Sequence, residues 1–197
     1  MHTTPMAAIE EVRAALEKFQ QAYTRRAVEE LDSFMELFAP EADIELIGTG
    51  GINPGEEEWC LNRVSIRQLV EDDWNYWGDV KLLIDQVRIR VEGSAAWLSC
   101  PGTVTRTVNP VQTYQNFLDS LPGLSGSKDH SAQDKVYRLA QNASSVLYQA
   151  QQGALYIWPF RFTAVLVRRA AQWRFHQVQF SFPTTQFPDV RRLALPA

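Results

Sequence analysis

Four side chains in this 197-residue sequence invite an acid–base reading. His176 belongs to the residue type that ionises near neutral pH without help. Asp43, Glu45 and Asp73 are the carboxylates that stand beside strongly apolar stretches. Asp73 closes an acidic triplet, Glu71-Asp72-Asp73, which looks at first like a set of metal ligands. Neighbours on a helix diverge, however, so the triplet reads as a solvated acidic face. Asp73 stands apart from it because it flanks Trp74. Arg161 is a cation inside an apolar strand. It suits either an anionic head group or an ion pair with a carboxylate such as Glu45.

Other chemistries find less support. Cys60 and Cys100 have no metal-like spacing, and two cysteines are too few for a disulfide framework. Both read as reduced, half-buried thiols. GTGGINPGEE has the glycines of a phosphate loop but lacks the closing GK[ST] and does not lead into a helix. No cofactor motif and no metal constellation is expected. With 19 basic and 23 acidic residues, the net charge of −4 argues against a nucleic-acid binder. No apolar run approaches the ~18 residues of a membrane span. The N-terminus has no apolar leader core. The expectation is a cytoplasmic protein.

The elements that position these residues follow from periodicity. Two long antiparallel strands are predicted between Gly153 and Pro183, joined by a turn at Arg168-Arg169-Ala170-Ala171. Alternation gives each strand two faces, and neither face is plainly polar. The pattern predicts one face covered by helices and the other by a second copy of the chain. The turn does not fix the register, so His176 and Gln179 are left without an assigned face. Upstream, helices are predicted over Pro5–Arg25, capped by Thr3 or Thr4, and over Ala27–Phe38. A third opens at a Ser65/Gln68 capping box. Strands are predicted over Ala42–Thr49, Val80–Val91 and Ala95–Val108, with a loop over Gly50–Asn62. Trp59 in that loop is either a core plug or the wall of a pocket. Two helices, Val111–Leu121 and Ser131–Gln151, are inserted between strands and separated by a break from Pro122. Residues 109–152 are thus a helical insertion in a single domain, and 184–197 a surface tail.

The order of elements is α+β. LFAPEADIEL after two helices, and FRFTAVLVRRAAQWRFHQVQFSFP near the end, resemble the NTF2-like superfamily. Within it they most resemble the SnoaL-like, ketosteroid-isomerase-like branch, whose closing strand often reads W-[RK]-[IV]-x-x-x-H-[FW]-S. Here that stretch is Trp173 to Ser181. The resemblance covers about 7–108 and 153–183, and excludes the inserted helices. It implies a cone, a curved sheet wrapped around helices with an apolar pocket at its open end. It also implies a homodimer through the outer sheet face.

The chemistry of the branch does not carry over intact. Its catalytic base falls on Leu46, which takes no proton. Its closing-strand histidine is replaced by Gln179, and Tyr23 stands near its helix-1 tyrosine but one residue out of register. His176, Asp43 and Glu45 remain as catalytic candidates, with Asp73 beside them. The implied pocket would be lined by Tyr23, Trp59, Trp74, Trp158, Phe160, Arg161 and Gln179. The expected function is binding of a small apolar molecule, with an isomerase-, cyclase- or hydrolase-like activity open. The alternative is a non-catalytic homodimeric interaction module. Its inserted helices would present Tyr114, Phe117 and Leu118 to a partner. A lid over the pocket is the third role those helices could have.

Overall fold

The structure is a computed structural model that describes residues 5–107, 109–151 and 154–182. The Thr3/Thr4 cap and the 184–197 tail lie outside the described residues. The helices are α1 (Pro5–Arg25), α2 (Leu31–Met35), α3 (Arg63–Asp72), α4 (Pro110–Gly126) and α5 (Ala132–Gln151). The strands are β1 (Glu45–Ile47), β2 (Trp59–Cys60), β3 (Asp79–Leu82), β4 (Arg88–Glu92), β5 (Ala95–Thr107), β6 (Leu155–Arg169) and β7 (Gln172–Ser181). The sheet runs β2-β1-β7-β6-β5-β3, with β4 also paired to β5. The pairs β1–β2, β4–β5 and β6–β7 are antiparallel, and β1 runs parallel to β7. Contacts divide the chain into two compact units. The first ends at Val104 and resumes over Trp158–Phe182, and the second spans Thr105–Ile157.

In the first unit α1 supplies the stripe that the sheet wraps. Ala8, Val12, Leu16, Phe19 and Tyr23 recur every three or four residues and are buried. Phe19 sits at the centre. Its ring lies 4.9 Å from Tyr23, 5.2 Å from Phe34, 5.1 Å from Phe175 and 5.3 Å from Phe162. Such aromatic pairs add about 0.5–1.5 kcal/mol each beyond their burial. The polar side of α1 ties it to the strand at the sheet edge. Gln20 donates to the Val80 carbonyl at 2.9 Å and accepts from the Leu82 N–H at 2.5 Å, so its amide acts as one more strand residue beside β3.

Several predicted boundaries move, each for a local reason. The helix predicted over 27–38 is a 3-10 turn (Val28–Glu30) and the short α2. It stops because the chain turns to pair with β7. The Phe175 N–H donates to Leu37 and the Ala39 N–H to Phe175, both at 2.8 Å. The third helix opens earlier than predicted. Asn62, not Ser65, is its cap, and its side-chain oxygen accepts from the N–H groups of Val64 and Ser65 at 3.0 Å. The strand predicted over 80–91 is broken by a 3-10 turn at Ile84–Gln86, where Arg13 of α1 donates to the Ile84 carbonyl at 3.1 Å. The predicted strand 42–49 shortens to β1, and the loop after it gains β2.

The largest correction concerns the strand with two apolar faces. Val165 pairs with Gln177 while Leu166 pairs with Phe175, which leaves His176 as an extra residue in β7. This β-bulge shifts the alternation by one. Trp173 and Phe175 before it, and Val178 and Phe180 after it, are all buried on the same inner face. On β6 the even positions from Trp158 to Leu166 are buried, and Pro159, Arg161 and Thr163 are exposed. The outer face therefore carries Arg161, Thr163, Gln179, Gln177 and Glu45 beside Pro159 and the half-buried Val165, a mixed surface rather than a continuous apolar layer. The expected homodimer then rests on the resemblance and no longer on the strand pattern.

The second unit is a helical hairpin. Asn109 caps α4 by accepting from the Gln112 N–H at 3.2 Å. Ser131 and Asp134 bond reciprocally at the start of α5. The break predicted at Pro122 does not occur, and α4 continues through that proline to Gly126. No residue of α4 is buried. Among the described residues, no helix is long and apolar enough to cross a membrane.

Candidate functional site

Among the described residues, the inner face of the first unit brings a pair of polar side chains together among its rings. Tyr23, on the last turns of α1, donates its hydroxyl to Oδ2 of Asp73 at 2.9 Å. Asp73 stands where α3 passes into a π-helical turn, Asp73–Trp77. The wider turn changes the helical phase there, so Trp74 is buried and Asp73 half-buried beside it. Tyr23 is stacked on Phe19 and meets Trp74 edge-on at 6.1 Å. Phe34 and Phe180 each lie 5.9 Å from it.

The electrostatics follow from that setting. Burial pushes the Asp73 carboxyl up to about 7, with the negative charges of Glu58 and Asp72 adding to the effect and the Tyr23 hydrogen bond opposing it. Burial, and then the Asp73 charge, hold the Tyr23 phenol well above its ordinary value. The pair therefore combines an aspartate that takes or gives a proton near neutral pH with a tyrosine that stays a neutral donor. Burial also raises both thiols, Cys60 upward and Cys100 to about 11, so neither is an activated nucleophile.

The sequence-derived candidates scatter around this pair. Tyr23, Trp74 and Phe160 are buried on the inner face, and Trp158 is buried and stacked on Phe182 at 4.2 Å. Trp77, at the end of the π-helical turn, joins Phe160 at 5.7 Å and Phe180 at 5.2 Å. Trp59 is half-buried in β2, and its indole nitrogen is buried with no partner, as is that of Trp74. Gln179 is exposed between the buried Val178 and Phe180, so it sits on the outer face. Arg161 is exposed and donates to the Phe182 carbonyl at 2.9 Å. Glu45 is not its partner and accepts instead from Gln177 at 2.8 Å. Asp43 is exposed. His176 is half-buried in the bulge, with Nδ1 unpartnered. The structure thus joins Tyr23 to Asp73 and leaves His176, Asp43 and Glu45 away from them. Leu46, where the resemblance placed a base, is fully buried.

Glu58 was not singled out by the sequence, where it closes the run Glu56-Glu57-Glu58 and reads as a solvated loop. In the fold its carboxylate accepts from the Gly50 N–H at 2.6 Å and from the Thr49 hydroxyl at 3.4 Å. Gly48 leaves the space, since a Cβ there would run into the Glu58 carboxylate. The glycines that mimicked a phosphate loop make room for an acidic side chain.

Two clefts lie elsewhere. One of about 390 Å³ runs between α1, Leu37 and the β6–β7 turn, lined by Glu11, Lys18, Trp173 and Arg174. The other, of about 480 Å³, lies within the helical hairpin, with Arg106, Asn109, Asn116, Phe117, Asn142 and Val146 on its walls. Among the described residues no group of three or more His, Cys, Asp or Glu side chains could hold a metal ion.

No protein-family model matches the chain, and no curated protein matches its sequence. Solved structures do match. A protein of Streptomyces avermitilis, provisionally named a dehydratase of the NTF2-like family, is 14% identical with a TM-score of 0.56, over 91% of this chain and 99% of that one. An NTF2-like protein of unknown function from Pseudomonas putida is 15% identical with a TM-score of 0.53, over 90% and 88%. A protein of Novosphingobium aromaticivorans, provisionally named a scytalone dehydratase, is 9% identical with a TM-score of 0.53, over 90% and 85%. The fold of this chain is that of the NTF2-like superfamily.

Proposed function

We propose that the chain binds a small, largely apolar molecule bearing a carbonyl or hydroxyl group, and moves a proton on it at the Asp73–Tyr23 pair. The observation that carries this reading is a half-buried aspartate with its proton affinity raised to about 7, hydrogen-bonded to a buried tyrosine. As an acid, Asp73 would protonate a leaving hydroxyl. As a base, it would take a proton beside a carbonyl whose oxygen accepts from the Tyr23 phenol. Dehydration and isomerisation both use these two steps, and two fold neighbours carry provisional dehydratase names. The SnoaL-like character drawn from the closing strand belongs to the same reading. The rings of the inner face meet one another, so the ligand would reach the pair from the side on which Asp73 is half-buried.

The test is incubation of the protein with a panel of β-hydroxy ketones and related enolisable compounds in D2O, followed by NMR. Deuterium exchange or water loss that depends on a group titrating near pH 7, and vanishes in Asp73→Asn, is expected. A parent protein inert on the whole panel, or an Asp73→Asn variant as active as the parent, would sink the catalytic reading.

One observation favours a second role, for the inserted hairpin. Val111, Tyr114 and Leu118 are exposed on one stripe of α4, and Asp119 is the one charged residue of that helix. An apolar helix face with so little charge suits a protein partner. Phe117, the third anchor expected from the sequence, is half-buried and lines the hairpin's own cleft.

A further inference from the structure

The helical hairpin has two unlike faces. At the start of α4 and along it, the cleft of the hairpin is lined by Asn109, Gln112, Thr113, Asn116 and Ser120, which fall on one side of the helix. Val111, Tyr114 and Leu118 each stand two positions from members of that set, roughly 200° round the helix. They are 77%, 39% and 53% exposed. On α5 the cleft is lined by Asn142, Ser145 and Val146. Leu147 stands two positions beyond Ser145, and Val136 lies about three turns before Leu147, so these two share one stripe. Both are exposed. On each helix an apolar stripe therefore turns away from the polar cleft, and the two stripes form the other face of the hairpin.

That face is free of charge. Asp119 is the charged residue of α4, and α5 carries Asp134, Lys135 and Arg138. Each stands roughly 100° or more from the apolar stripe of its helix. An uncharged face selects no oppositely charged partner, and it can meet itself without setting like charges together. A two-fold axis places one patch against the same patch, so self-complementarity is the only requirement.

The dimensions suit such a pairing. With 17 residues in α4 and 20 in α5, the hairpin is roughly 25 Å long and, at about 10 Å per helix, roughly 20 Å wide. Pairing would cover a footprint on the order of 500 Å² on each copy. As accessible surface the figure is larger once side chains interdigitate, which brings it near the ~800 Å² per partner of a specific interface. Two such hairpins, face to face, make a four-helix bundle, an arrangement that buries an apolar stripe from every helix. The polar clefts stay in water on the outside.

We propose that the apolar face of the hairpin binds the same face of a second copy of this chain, so that α4 and α5 of two chains form a four-helix bundle with Val111, Tyr114, Leu118, Val136 and Leu147 in its core. The inference rests on the reading of the hairpin as a protein-binding element and names its partner.

The experiment is sedimentation velocity on the full chain over a micromolar concentration series, for the parent, Leu118→Glu, Leu147→Glu and Asn142→Glu. The first two place a carboxylate on the apolar face, one on each helix. The third places it in the polar cleft. All three positions are exposed, so the fold of the single chain tolerates each, and circular dichroism checks that the helix content is kept. The parent and Asn142→Glu are expected to sediment as dimers, and Leu118→Glu and Leu147→Glu as monomers of about half that mass. A dimer that survives both apolar-face substitutions overturns the proposal. So does a monomeric parent, and binding of the dye ANS then separates the two claims. A monomer whose hairpin binds ANS, and loses it in Leu118→Glu, has an open apolar face for a different protein, so only the second copy falls. A monomer that binds no ANS removes the protein-binding reading as well.

Discussion

Asp73 is stabilised poorly as an anion, and its own pH dependence should show it. The folded state holds the Asp73 proton up to about pH 7, whereas the unfolded chain releases it in the usual aspartate range near 4. Below that range both states are protonated and the residue contributes nothing. Between the two values the folded state binds more protons, so stability falls as pH rises, and above about 7 the full cost is present. After allowance for the screening of a half-buried group, that cost is about 2 kcal/mol. Asp73→Asn keeps an acceptor for the Tyr23 hydroxyl and removes the charge. Urea denaturation from pH 4 to pH 8 is expected to show the variant gaining on the parent as pH rises, and to be the more stable protein at pH 8. A constant difference between the two across that range would mean that Asp73 is not perturbed. The sequence marked the two residues separately, Asp73 beside Trp74 and Tyr23 as a pocket wall, and did not join them. Tyr23 and Asp73 stand fifty positions apart in unrelated helices, and Asp73 lay inside an acidic run whose ordinary reading is a solvated face. Its two neighbours fit that reading, Asp72 exposed and Glu71 in an ion pair with Arg67 at 3.0 Å. What separated Asp73 from them was the π turn, which shifts the phase of the helix at that residue and leaves no mark in the apolar periodicity before it.

At the scale of the element, the two long strands were legible and the single residue that relates their faces was not. Alternation over β6 was sound, and its even positions from Trp158 to Leu166 are the buried ones. In β7 the alternation reads correctly up to Phe175 and correctly again from Val178, but with opposite sign. A strict period of two therefore mixed inner and outer residues and manufactured a second apolar face. Gln179 came into the expected pocket from the resemblance, through the family's closing-strand histidine, and the bulge is what turns that position outward. The bulge explains His176 as geometry: it is the inserted residue, and its ring is not needed for the inner face to close. Replacement and removal should then have opposite consequences. His176→Ala is expected to cost less than about 1 kcal/mol, because Nδ1 has no partner to lose. Deletion of His176 would restore a regular ladder and turn Trp173 and Phe175 outward, or Val178 and Phe180, with a loss of about 4 kcal/mol or more. Chemical denaturation of both variants checks this. A deletion as stable as the substitution would show that β7 pairs without the bulge.

For the whole molecule, residues 109–152 are the expected insertion, and the second compact unit spans Thr105–Ile157. Its role was not legible, because the amphipathic stripe of a helix does not say what covers it. The distribution of buried side chains supplies a direct expectation. Phe19, Tyr23, Phe38, Phe162, Phe175 and Phe180, among the largest fully buried groups, all lie outside the insertion. Among the described residues between 108 and 152, only Ala150 is buried. The strands on either side, β5 and β6, are neighbours in the sheet, and a short designed turn is the link to build between them. A chain lacking residues 108–152, closed by such a turn, should therefore keep a cooperative thermal transition within a few degrees of the parent, followed by circular dichroism. Loss of that transition would show that the core of the first unit depends on the hairpin. Light scattering on the same sample then addresses the second role. If the full chain self-associates through the apolar stripe of α4, the shortened chain becomes smaller by more than the mass removed. If the oligomeric state is unchanged, Val111, Tyr114 and Leu118 do not hold two copies together, and the outer sheet face remains as the surface where a second copy would sit.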